Sequence, residues 1–114
     1  MKKQEQYLEQ LLASGFVDSR KLAGVANAKD LPRGEYGLCL MCLKGSTLNI
    51  YDTNLKQEVG PLLYCVDLKK VTKLKTSTFL FNCYIKFTYE DFRYKLVDCL
   101  HKELYNAIRQ EASV

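Results

Sequence analysis

The sequence predicts an α+β fold: one antiparallel sheet with a helix near each end of the chain. Three observations carry that expectation. Helical periodicity is strong over residues 3–14 and 99–111. Between about residues 35 and 97 the apolar side chains alternate or run at strand length. The breaks between those runs are short turns, not the helices that a parallel sheet needs as crossovers. At 114 residues, with 47% hydrophobic and 26% charged residues, the chain suits one ordinary folded domain. Eight Tyr and five Phe with no Trp assign much of the core to aromatic rings.

In the first helix, residues 3–14, Tyr7, Leu8, Leu11 and Leu12 share a face, and Gly15 suits the left-handed residue that ends a helix. Asp18 or Ser19 is placed to cap a short second helix through Ala28, a reading that Gly24 weakens. Leu31-Pro32-Arg33-Gly34 then breaks the chain. The first strand is the apolar run 36–43, turned by Lys44-Gly45-Ser46 into an alternating second strand over residues 47–51. Pro61 opens a third strand (62–68), and the short basic segment 70–76 supplies a fourth. Residues 78–89 alternate, with Phe79, Phe81, Cys83, Ile85, Phe87 and Tyr89 on one face. Glu90-Asp91 turns the chain into a last strand from Phe92. Asp98 is a good cap for the final helix, 99–111, with its ridge of Leu100, Leu104 and Ile108.

From Leu31 onward this order resembles the pleckstrin-homology (PH) superfold, and within it the GRAM-like and bacterial PH-like domains. The resemblance covers residues 31–112. It rests on Leu31-Pro32-Arg33-Gly34-Glu35 ahead of an apolar strand, on Pro61 to Lys75 in mid-sheet, and on the 79–96 hairpin closing into one helix. It implies a single bent sheet or partly open barrel, capped by the C-terminal helix, with residues 1–30 as a helical extension of the same single domain. It also implies a non-catalytic binding module for a protein partner or an anionic membrane surface. PH domains that bind phosphoinositides hold the headgroup with basic residues around the first hairpin loop; Lys44-Gly45-Ser46, taken as that loop, offers one charge.

The chemistry in the chain is sparse. The net charge of +4 is mild. Lys69, Lys70, Lys73 and Lys75 form its densest cluster, and with Lys44 they are the candidate anion- or partner-binding residues. The same lysines would also protect an edge strand from aggregation. Lys86, Arg93 and Lys95, with Tyr84 between, form a second basic stripe that would suit a small nucleic-acid-binding β-domain, the alternative function. Cys39-Leu-Met-Cys42 has metal-knuckle spacing, but positions three apart on a strand face opposite sides, so no metal or other cofactor is expected. His101 has no nucleophile or orienting carboxylate at a readable spacing, and no phosphate-binding glycine loop exists, so no enzyme is expected. The five cysteines are odd in number, no apolar leader follows Met1-Lys2-Lys3, and no run is long enough to span a bilayer. These features predict reduced thiols and a cytoplasmic protein. The short Pro-led strand leaves a homodimer open.

Overall fold

The computed structural model describes residues 2–53, 59–79, 82–97 and 102–112. Helix α1 (Lys2–Ala13) comes first. It stops because Gly15 takes φ +74°, which lets Gly15 N–H donate to Leu12 O (3.1 Å) and Phe16 N–H to Leu11 O (3.0 Å). A 3₁₀ turn (Arg20–Leu22) follows, capped by the Ser19 hydroxyl accepting from Lys21 N–H.

Seven strands then form one sheet: β1 (Ala23–Asp30), β2 (Gly37–Lys44), β3 (Thr47–Thr53), β4 (Val59–Asp67), β5 (Thr72–Phe79), β6 (Asn82–Tyr89) and β7 (Phe92–Val97). A second 3₁₀ turn (Leu68–Lys70) joins β4 to β5, and helix α2 (Lys102–Ala112) ends the described chain. The strand order is β4-β3-β2-β1-β7-β6-β5, antiparallel throughout.

The short helix expected over residues 18–28 is not there. Ser19 caps only the 3₁₀ turn, and residues 23–30 form the middle strand of the sheet, paired with β2 on one side and β7 on the other. Ala, Gly and Asn are poor strand formers, so local propensity argues against this outcome. Tertiary context overrides it: Ala23, Val25, Ala26 and Ala28 are all buried, and the strand is paired on both sides. Two corrections follow. Leu31–Glu35 connects β1 to β2 instead of opening the sheet. The first hairpin loop is therefore residues 31–36, not Lys44-Gly45-Ser46, which turns β2 into β3. The alternation read as one strand over 78–89 is split between β5, which ends at Phe79, and β6; Leu80 and Phe81 lie outside the described residues. So do Asp98, Leu100 and His101.

The sheet is covered on two sides. Its inner face carries Ala26, Met41, Ile50, Val66, Ile85, Phe87 and Leu96, against which α2 packs Leu104, Tyr105 and Ile108. The outer face of β1–β3 carries Val25, Leu40, Cys42 and Tyr51, and α1 covers it with Tyr7 and Leu11. Double coverage explains why Cys39 to Leu43 is an unbroken apolar run: odd positions face α2 and even ones face α1. Burying one such Leu or Ile contributes about 1.5–3 kcal/mol. The sheet bends until Tyr64 of β4 meets Tyr94 of β7 edge-on at 5.3 Å, yet β4 and β5 remain unpaired with each other, so the barrel is not closed.

Candidate functional site

The other half of the outer face, on β5, β6 and β7, is left open. The register of these strands places Lys75 opposite Lys86, and Lys86 opposite Lys95. Adjacent strands lie about 4.8 Å apart, so three lysines form a row across about 10 Å. A second row beside it holds Thr88 opposite Arg93. Lys73, between the two rows in sequence, sits at a register shift between Thr72 and Lys75 with φ +56°. A non-glycine residue in that conformation costs about 1–2 kcal/mol.

Residues of both rows, with Leu74, Phe87 and Tyr94, line a concavity of about 610 Å³. Five cations face into it (Lys73, Lys75, Lys86, Arg93, Lys95) against one carboxylate, Asp30. Asp30 stands at the end of the lysine row, opposite Lys95, and lies 3.8 Å from Arg93 Nε. The volume suits a small ligand or a headgroup. A second concavity, of about 720 Å³, lies between α1 and β4 beside the stacked rings of Phe16 and Tyr51 (4.9 Å) and has no ionisable side chain on its walls except Tyr51.

The lysines singled out from sequence divide. Lys73 and Lys75 enter the groove. Lys69 and Lys70 are exposed on the 3₁₀ turn between β4 and β5 and do not line it. Lys44 sits at the end of β2 beside α1, where its ammonium donates to Gly15 O (2.6 Å) and pairs with Asp18 (3.5 Å). The second stripe joins the first: Lys86 pairs with Lys75, Lys95 pairs with Lys86, and Arg93 lines the same concavity. Tyr84 is half-buried and Lys86 Nζ lies 5.7 Å from its ring centre. Asp30 and Thr88 were not legible as site residues. Asp30 owes its place to a strand the local pattern hides.

The first hairpin loop holds a different constellation. Tyr64 donates its hydroxyl hydrogen to Glu35 Oε1 (2.6 Å) and accepts from Arg33 N–H (2.9 Å). Arg33 also donates to Leu63 O (2.7 Å), pairs with Glu35 (3.3 Å) and lies 4.8 Å from the Tyr64 ring centre. This cation is therefore satisfied within the protein. The cysteines of the CxxC spacing lie in separate cores, Cys39 on the inner face and Cys42 under α1, where burial pushes its thiol up to about 12. Among the described residues, no three His, Cys, Asp or Glu side chains gather as metal ligands.

A single bent, open antiparallel sheet with a C-terminal helix against its inner face defines an α+β protein of PH-like fold. No family model matches the chain, and no curated protein does. Solved structures do. Vav1 bound by an allosteric inhibitor superposes with a TM-score of 0.63 at 14% identity, and the apo structure of an activated Vav1 truncation with 0.63 at 13%. Each match covers 96% of this chain but 33% of the Vav1 chain, so the protein spans about a third of its length. Inner Membrane Complex sub-compartment protein 3 of Toxoplasma gondii matches with a TM-score of 0.50 at 13% identity, over 92% of this chain and 84% of that one. Likeness at these identities is likeness of fold. No described helix is long and apolar enough to cross a membrane.

Proposed function

We propose that this chain is a non-catalytic binding module that docks on an anionic membrane surface through the outer face of β5–β7. The observation that carries this reading is the in-register row Lys75, Lys86 and Lys95. Like charges directly opposite one another destabilise a sheet. Edge protection accounts for lysines on β5 alone, because β6 and β7 already have neighbours on both sides. Two cations on interior strands, continued by a strained Lys73, fit a face kept for an anion. Each Lys or Arg held near an anionic leaflet contributes about 1 kcal/mol, and anionic lipid faces the cytoplasm. The finer GRAM-like kinship adds nothing to this reading, since Leu31–Glu35 lies between two strands. Nucleic acid is the weaker reading: Tyr84 is the aromatic that would stack on a base, and it is half-buried with Lys86 beside its ring.

The test is co-sedimentation with neutral and anionic vesicles at low and high salt. The wild-type chain should pellet with anionic vesicles only, and salt should weaken the binding. A folded variant with Lys75, Lys86 and Lys95 changed to Glu should lose more than about tenfold in affinity, whereas Lys69→Glu with Lys70→Glu should lose much less. Equal loss from both variants would sink the groove as the docking face. No wild-type binding at low salt would sink the membrane, and capture of a protein partner or an oligonucleotide by the same face would replace it.

A further inference from the structure

The basic groove contains its own competitor. In β1, Ala26 and Ala28 face the inner core, so unbroken alternation would turn Asp30 inward as well. A register shift between Ala28 and Asp30 turns it outward instead, opposite Lys95 and within 3.8 Å of the Arg93 guanidinium. Bulges of this kind re-aim a side chain at a functional face. The result is one carboxylate aimed at the only guanidinium among five cations. Arg is also the cation best suited to hold an anion through two parallel hydrogen bonds. The other four cations offer nothing comparable, and none of them has an ion-pair partner among the described salt bridges.

Resting on the membrane reading above, we propose that Asp30 sets the charge density the groove demands of its ligand. While Asp30 holds Arg93, a sparse anionic surface meets a groove with one cation engaged and one negative charge in place. A denser surface supplies enough negative charge to take Arg93 from Asp30 and fill the groove. Asp30 is therefore a specificity-determining residue that acts through Arg93. It raises the threshold for binding and steepens the response to surface charge.

The experiment titrates phosphatidylcholine vesicles doped with rising fractions of phosphatidylserine. Asp30→Asn should bind about fivefold more tightly at the lowest fraction where wild-type binding is measurable, the effect of one unit charge some 4 Å away across water. The gain should shrink as the phosphatidylserine fraction rises. Asp18→Asn changes the net charge equally but lies beside Lys44, away from the groove, and should gain far less. In an Arg93→Gln background, Asp30→Asn should gain clearly less than it does with Arg93 present. Asp30→Ser, checked by thermal melting alongside the Asn variant, repeats the test with a different side chain. If Asp30→Asn and Asp18→Asn gain alike, or if the gain survives Arg93→Gln undiminished, the proposal is overturned while the docking face stands. If the wild-type chain binds no anionic vesicle at any fraction, the docking face fails and the proposal falls with it.

Discussion

Tyr64 does at the scale of one residue what a longer loop would otherwise do. Its hydroxyl joins the backbone of Arg33 to the carboxylate of Glu35, and its ring meets Tyr94 across the bend of the sheet. Tyr64→Phe leaves the ring but strands two polar partners, and should lower stability in urea by about 1–2 kcal/mol. Glu35 feels opposing influences. Burial pushes its carboxyl up, but the Tyr64 hydroxyl, backbone hydrogen bonds and the Arg33 charge together hold it below its ordinary value of 4.5. A carboxyl held down in the folded state contributes stability above that ordinary value, and the contribution is lost as pH falls through the lowered one. Stability measured from neutral pH into the acid range should therefore fall less steeply in Glu35→Gln than in wild type. Parallel slopes would show that Glu35 does not contribute this acid sensitivity. Thiol reactivity is a second probe at this scale. Cys39, Cys42 and Cys83 are buried and Cys65 is exposed on β4. Cys65→Ser should remove one fast-reacting equivalent from a native thiol titration, and an unchanged fast phase would contradict its exposure.

Individual strands show why some elements are readable in the sequence and one is not. β3, β6 and β7 are strands with one apolar face, and their alternation announces them. β2 announces itself differently, as a continuous run, because α1 and α2 cover its two faces. β1 shows neither pattern. Its Ala, Gly and Asn residues acquire strand character only from the partners on each side, and those are set by the whole sheet. The lysines were legible as two separate stripes, one at 69–75 and one at 86–95. Their union was not, because it follows from pairing β5 with β6, and part of the run that forms β5 reads as β6. Asp30 was doubly hidden, by the unread strand and by the bulge. The hairpin between β6 and β7 was legible despite its residues. Glu90 and Asp91 both take positive φ, 53° and 68°, as a two-residue turn of the favoured hand requires, although neither is glycine. Replacing them with Asn-Gly should raise the thermal midpoint and add about 1 kcal/mol of stability. No gain would mean that the Tyr89–Phe92 pairing, not the turn, holds the hairpin in register.

Across the whole molecule, one sheet face has two characters divided at β1. Toward β3 it is apolar and α1 closes it; toward β5 it is charged and open. The two halves should fail separately. Leu11, on the sheet-facing side of α1, is fully buried, and Leu11→Ala should cost about 2–5 kcal/mol while leaving vesicle binding by the folded fraction unchanged. Loss of binding beyond the loss of folded protein would show that the halves are coupled. The sheet's free edges are also defended by different means. On β4, the Gln10 side chain accepts from Val59 N–H and Arg33 takes Leu63 O. β5 is guarded by Lys73, Lys75 and its irregular register.

The lysine row and the core behind it are the same three strands read at alternate positions. Lys86 faces out where Phe87 faces in, and Lys95 where Tyr94 and Leu96 do. A one-residue insertion or deletion within β6 exchanges the two sets beyond that point, turning ammonium groups toward the interior and core side chains toward the open face. The regular stretches of β6 and β7 therefore keep their length together with the basic face.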